Sequence, residues 1–379
     1  MKTFPWLLLA ALAVPAGCDS GGGDDGGDTD TESSTGTTDS TDSTNPSSSG
    51  TTSPGTTTDE STTGSTSVAD TGSGSESGSS SGEGSSSTGE AVQDITLQFA
   101  ARVGDAEANC TDSYPEVGSN AMGTESYTVT FRDLRFYISD IVLIDSDDNE
   151  VALDLDQDSP WQHEGVALLD FEDGSGACES GTAETNAQVV GTVAEGDYTG
   201  IRFQIGVPFD LNHTDVNTAE PPLNDVAMNW NWLNGRKFVK IEVNTDNSLE
   251  GAGSLEVDQW NVHLGAICPG DDPTMPPGSE DDCIRPGRPQ VALSDFDPAN
   301  DVLVADVGAL LDGVNIEEDL GAMPVIGCQS LPPADNNTIG GVMVTDCDDL
   351  WANWGMDWST GDCADDCSGQ TFFSVEAGE

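Results

Sequence analysis

Three histidines are spread through 379 residues: His163 in "WQHEG", His213 in "PFDLNHTD" and His263 in "WNVHLGA". Imidazole is a good ligand for copper and zinc, although a lone histidine in an acidic chain is more often a hydrogen-bonded structural residue. Spacing separates the three. On a strand, residues two apart point to the same face, so Trp161 and His163 present indole and imidazole to one point. His263 follows Trp260 by three, which does not share a strand face. Surrounding aromatics would keep water from a Cu(I) centre. Indole itself donates a hydrogen bond and offers a metal no lone pair. Other tryptophans gather as Trp230 and Trp232 in "NWNWLNGRKF" and as Trp351, Trp354 and Trp358 in "LWANWGMDW". Core packing accounts for most of them; a redox-active or modified tryptophan is the sharper alternative.

Catalytic signatures fail. "GSSSG" at 78–82 matches GxSxG but lies in low-complexity sequence, without the strand and helix of a nucleophile elbow. No HExxH, P-loop or Rossmann glycine pattern occurs. Asp154, Asp156 and Asp158 alternate in "DLDQDSP", yet the glycine and glutamate of a calcium loop are missing. The chain is expected to bind without turnover.

The elements that would position these residues follow from composition. Residues 19–91 are nearly all Ser, Thr, Gly, Asp and Glu, which cannot bury enough apolar surface to offset ordering, so a solvated tether is expected there. The foldable part is 92–379. Before the tether, Lys2 and the apolar run "WLLLAALAV" have the form of an export signal, too short to span a bilayer. It ends in "PAGC", where Ala16 and Gly17 precede Cys18 as in a bacterial lipobox, apart from Pro15. Cys18 is the expected lipidation site, giving a periplasmic or cell-surface lipoprotein held at a membrane, the outer one expected, by acyl chains alone; plain secretion is the alternative.

A net charge of -59 with ten Lys and Arg excludes nucleic acid, which needs a positive surface. A cation or a cationic protein is the easier partner, and surface acid also serves solubility. With Cys18 set aside, Cys110, Cys178, Cys268, Cys283, Cys328, Cys347, Cys363 and Cys367 form an even set, read as four disulfides of an exported domain. Spacing does not fix their connectivity. Nearest-neighbour pairing gives 110–178, 268–283, 328–347 and 363–367.

Strand patterns fall at 94–103, 127–145 with a bend near Asp133, 198–207, 236–244, 253–267 and 289–296. Helical periodicity is confined to 306–313 and 346–355. Many strands between Gly, Pro and Asp turns predict an all-β antiparallel sandwich or irregular barrel, disulfide-stapled, with a few short helices.

"FRDLRFYISDIVLID", "WQHEGVALLDFEDGSGAC", "GDYTGIRFQIGVPFDLNH", "PPLND" with "MNWNWLNGRKFVKIE", and "VHLGAIC" occur in the order and spacing of the metallo-mystery-pair four-cysteine proteins. The chain resembles this MbnP-like family over about 94–375. The resemblance implies a copper-binding protein whose partner is a di-heme cytochrome c peroxidase-like enzyme related to MauG, a class associated with oxidising tryptophan to kynurenine. It implies Trp161 as the kynurenine candidate, His163 and His213 as copper ligands, and His263 as a further ligand or a residue behind the ligands. Kynurenine carries an aromatic amine that can coordinate or polarise a metal. Where relatives read "FYVHD" this chain has Ile138, Ser139 and Asp140, and where they read "GYKF" it has Arg236. A metal-free surface module binding protein or glycan through exposed tryptophans is the other function class.

Overall fold

The alternation of "VQDITLQFAARV" makes β1 (Val92–Val103), with Ile95, Leu97, Phe99 and Ala101 turned inward. The computed structural model describes residues 91–120, 122–179, 181–230, 235–249, 257–268, 283–316, 327–330, 338–339, 342–343 and 347–378. The export signal, Cys18 and the tether up to residue 90 lie outside them. After β1 come β2 (Ala106–Glu107), β3 (Tyr114–Val117), β4 (Tyr127–Asp145), β5 (Glu150–Ala152), β6 (Asp154–Leu155), β7 (Gln162–His163), β8 (Val166–Asp170), β9 (Gln188–Ala194) and β10 (Tyr198–Ile205). One helical turn, α1 (Phe209–Asn212), precedes β11 (Val239–Leu249), β12 (Val257–Leu264), β13 (Gln290–Ser294) and β14 (Asp301–Asp306). The chain closes with α2 (Val307–Leu310), β15 (Gly327–Gln329), β16 (Thr338–Ile339), β17 (Val342–Met343), α3 (Cys347–Asn353), a 3-10 turn (Asp365–Cys367) and β18 (Phe373–Ala377).

Two sheets form. The smaller orders its strands β18-β14-β1-β9-β6, with β2 beside β1, and the larger β13-β10-β4-β11-β12-β15, with β3, β5 and β8 also on β4 and β7 on β8. The architecture is the expected all-β sandwich with short helices, and no barrel closes. Most pairings are antiparallel; β1 with β14 and β12 with β15 run parallel. Cystines join 110–178, 268–283, 328–347 and 363–367.

Between the sheets, Phe203 of the larger one meets Phe99 and Phe373 of the smaller, ring centroids 6.3 and 5.1 Å apart. Phe136 meets Phe373 at 5.6 Å. These edge-on pairs sit inside one apolar core with residues from both sheets.

The expected bend near Asp133 is instead one 19-residue strand, β4, which carries two bulges of its own. Phe131 faces Val243 and Asp133 faces Glu242, so Arg132 is an extra residue. A second shift separates Ser139 from Val142, where Asp140 has φ 52°. Each bulge reverses which residues point inward. Val129 and Phe131, then Leu134, Phe136 and Ile138, then Ile141 and Leu143 enter the core. Between the bulges, Asp133, Arg135, Tyr137 and Ser139 turn to the outer face.

Truncating Phe203, wholly buried at the contact between sheets, is expected to destabilise the fold by about 3–5 kcal/mol. Chemical denaturation of Phe203→Ala should show a lower midpoint with an unchanged slope; an unchanged midpoint would show that the aromatic contact does not hold the sheets.

Candidate functional site

The outer face of the larger sheet is organised in rows, because residues opposite one another on neighbouring strands share a face. One row is charged. Asp170, Arg135, Lys240 and His263 stand side by side across β8, β4, β11 and β12. Beside it, Asp133 pairs with Glu242. Asp133, 1% exposed, accepts from Arg135 Nε at 2.8 Å and also from Arg135 Nη2 and Lys240 Nζ. Arg135 Nη1 reaches Asp225 at 2.9 Å and Glu172 at 3.7 Å. His263 Nε2 lies 2.9 Å from Glu242 Oε1.

Burial shapes the titration of this row. It pushes Asp170 up to about 8, against the pull of Arg135. It would also raise Glu242, but the hydrogen bond from His263 and the charge of Lys240 outweigh it and hold that carboxyl at about 2. His263 is lowered by burial despite its Glu242 partner.

The next row is apolar. Tyr137 lies between Leu168 and Phe238, and its hydroxyl donates to Pro222 O at 2.9 Å. Trp161 continues the row, since Leu168 N donates to Trp161 O at 2.9 Å. The following pair is His163 with Val166, closed by a hairpin whose central residues Glu164 and Gly165 have φ of 50° and 99°, as a type I′ turn requires. Gln162 points the other way, exchanging hydrogen bonds with the backbone of Val190 in the smaller sheet. Trp161 and His163 therefore share the outer face.

The connection from β10 to β11, residues 206–238, covers this apolar row; residues 231–234 lie outside the described part. Pro208 cannot donate a backbone hydrogen bond and opens α1, whose end is His213. The His213 ring meets Phe209 edge-on at 5.0 Å, and Asn212 Nδ2 stands 3.4 Å from His213 Nε2. Trp161, Phe209 and Leu211 all pack against one apolar cluster that includes Tyr137, Val166, Leu168 and Phe238. A narrow crevice lies between Phe209, Asn212, Cys268, Cys283 and Arg288.

Trp161 thus packs on this cluster, His163 stands opposite its Val166 and His213 lies against Phe209 at its edge, while His263 stands apart. Four strand-to-strand steps separate β7 from β12, on the order of 19 Å at the usual spacing. As a shared ligand with His163, His263 is out of reach; it belongs to the charged row, locked to Glu242. Among the described residues, no three His, Cys, Asp or Glu side chains converge as a metal cage would need, the run Asp154, Asp156 and Asp158 included. Trp230, Trp260, Trp351 and Trp354 are buried and Trp161 and Trp358 half-buried, so none of the described tryptophans offers an exposed binding platform. Trp351 and Trp358 pack at 4.5 Å beneath the guanidinium of Arg285. Trp232 lies outside the described residues.

Sequence reading missed two groups. Ser139, at the place of the histidine in "FYVHD", donates to Gly206 O at 2.8 Å and accepts from Arg288, which also pairs with Asp140 at 2.6 Å. Arg236 is fully buried and bonds to Leu211, Asn212 and Leu223. The available signal for both was a polar or charged residue within strand-like sequence, as in "FYISD" and "GRKF".

Comparison with known proteins then gives a family model described as MbnP, matching residues 92–330. Among solved structures, MbnP from Methylosinus trichosporium is similar, with a TM-score of 0.58 and 25% identity, over 76% of this chain and 99% of that one. No curated protein matches. The family match ends before α3, the 363–367 cystine and β18.

Asp170 sets a pH dependence. Its folded pKa near 8 lies above the ordinary carboxylate value, so the folded state holds an extra proton between about pH 4 and 8. Its contribution is complete below pH 4 and is lost as pH rises through 8. Asp170→Asn is expected to abolish this decline, so that the variant gains on the parent steadily from pH 4 to 8 in equilibrium unfolding. Parallel pH profiles would show that Asp170 is not held protonated.

Proposed function

Since the chain belongs to the MbnP family, we propose that it is an exported copper-binding protein without turnover of its own, acting in copper acquisition, storage or delivery. The observation that supports this reading is that Trp161 packs on one apolar cluster, with His163 opposite its Val166 and His213 against Phe209 at its edge. Two imidazoles beside an indole suit a soft copper ion, whereas a hard cation would need converging carboxylates. His163 and His213 would hold the ion. When bound, copper supplies a redox-capable centre whose state depends on how well water is excluded.

This chain's residues do the rest. The hairpin fixes the His163 backbone, and Trp161 and Phe209 turn apolar surface toward the site. Trp161, half-buried at the rim, is accessible to a MauG-related di-heme partner that would oxidise it to kynurenine. Its new aromatic amine would add a donor beside the two imidazoles. Four cystines fit an oxidising compartment, and no helix among the described residues is long and apolar enough to cross a membrane. Anchoring through lipid on Cys18 and an outer-membrane location complete the reading.

Co-expression with the di-heme partner, followed by metal analysis and peptide mass mapping, tests it. Copper should co-purify and the Trp161 peptide should carry the mass of kynurenine. Replacing His163 or His213 by Ala should weaken copper binding about tenfold or more, as loss of a ligand or its support does, and the double variant should bind none. Copper retained by the double variant would place the site elsewhere, and a metal-free, unmodified protein would sink the proposal.

A further inference from the structure

One residue that bears on His213 is distant in sequence. Arg236 lies near the end of the 206–238 connection, three residues before β11, with its side chain turned back to the earlier part of the connection, and none of it is exposed. Its Nη1 donates to Leu211 O at 2.8 Å and to Asn212 O at 2.5 Å. Its Nε and Nη2 donate to Leu223 O at 3.3 and 2.8 Å. Its backbone N–H donates to Asn212 Oδ1 at 2.8 Å.

The consequences are local. Asn212 O belongs to the peptide that joins Asn212 to His213, so the bond from Arg236 fixes the plane from which the histidine leaves. The bond to Asn212 Oδ1 fixes the side-chain amide, and that amide faces His213 Nε2 at 3.4 Å. A planar guanidinium reaches two separated sets of carbonyls at once, which a single ammonium cannot do. Tyr137, Lys237 and Arg135 also tie the connection down, at Pro222, Ala227 and Asp225. Only Arg236 among them touches the residues next to His213.

We propose that Arg236 is a positioning residue for His213, acting through Asn212 to hold the imidazole in one orientation. The inference rests on the copper reading for its purpose, but the geometry it claims exists without metal.

With three histidines in the chain, nitrogen-labelled imidazoles give three resolvable NMR spin systems in the full-length, metal-free protein. In Arg236→Met the His213 signals should shift or broaden while those of His163 and His263 stay in place. Arg236→Lys, which keeps the charge, should show the same selective change if the methionine variant fails to fold. Copper(II) titration read by electron paramagnetic resonance should then show one imidazole fewer than the parent and an affinity about tenfold lower, with no further loss on adding His213→Ala. An unmoved His213, three histidines moving together, or additive losses would overturn the proposal. A parent that binds no copper while His213 still responds to Arg236 would retain the positioning role and discard the copper reading.

Discussion

The two register shifts in β4 are the constraint on which the rest of the structure depends. A strand turns successive side chains to opposite faces, so one extra residue exchanges the faces for everything beyond it. Between Arg132 and Asp140 the exchange sends Leu134, Phe136 and Ile138 into the sandwich and Asp133, Arg135, Tyr137 and Ser139 outward. Both sets are buried. A sheet buried on both faces needs a second cover, and the connection between β10 and β11 supplies it. The candidate site lies under that cover, so the bulges create the surface on which it is built.

Placing charge on a buried face is costly unless every charge is paired. Asp133 is answered by Arg135 and Lys240, Arg135 by Asp225 and Glu172, and His263 by Glu242. Hydrophobic residues of similar volume could stabilise such a face as well, so the charges are better explained by what they select. Arg135 and Tyr137 each donate from the sheet to an acceptor in the covering connection, and Arg236 and Lys237, at its end, donate back to earlier parts of it. That directional set gives the cover one seating, where an apolar contact would allow several. A residue carried on the cover, such as His213, inherits the seating.

How far this was legible depends on which signal each part carried. The alternation of β1 and β10 announced strands, and "WQHEG" placed Trp161 and His163 on one face because its period is local. Five strands of the smaller sheet were missed: β2, β6, β9, β14 and β18. They are short, and "QVVGTVA" and "DVLVAD" depart from clean alternation through a glycine or a run of apolar residues. Their identity as strands comes from pairing with β1 or with one another, which is information about distant sequence. The bend read at Asp133 was a real irregularity given the wrong form, since a bulge and a bend look alike when a charge interrupts an apolar strand. The separation of His263 from His163 was not legible, because it depends on the order β7-β8-β4-β11-β12 and not on either motif.

The scarce cations sharpen the electrostatic argument. Of ten Lys and Arg, all but Lys2 lie in the described residues, and Arg135, Arg236, Lys240 and Arg285 are buried. Others serve at pairs within the fold, as Arg202 does with Glu150 and Arg288 with Asp140. The surface is consequently left almost purely acidic, a stronger field than the net charge alone conveys. Such a surface draws cations and cationic proteins and is indifferent to which. Imidazole and aromatic surface are a chemistry that carboxylates lack, and Trp161 and Phe209 bring it to one apolar cluster, with His163 opposite its Val166 and His213 against Phe209.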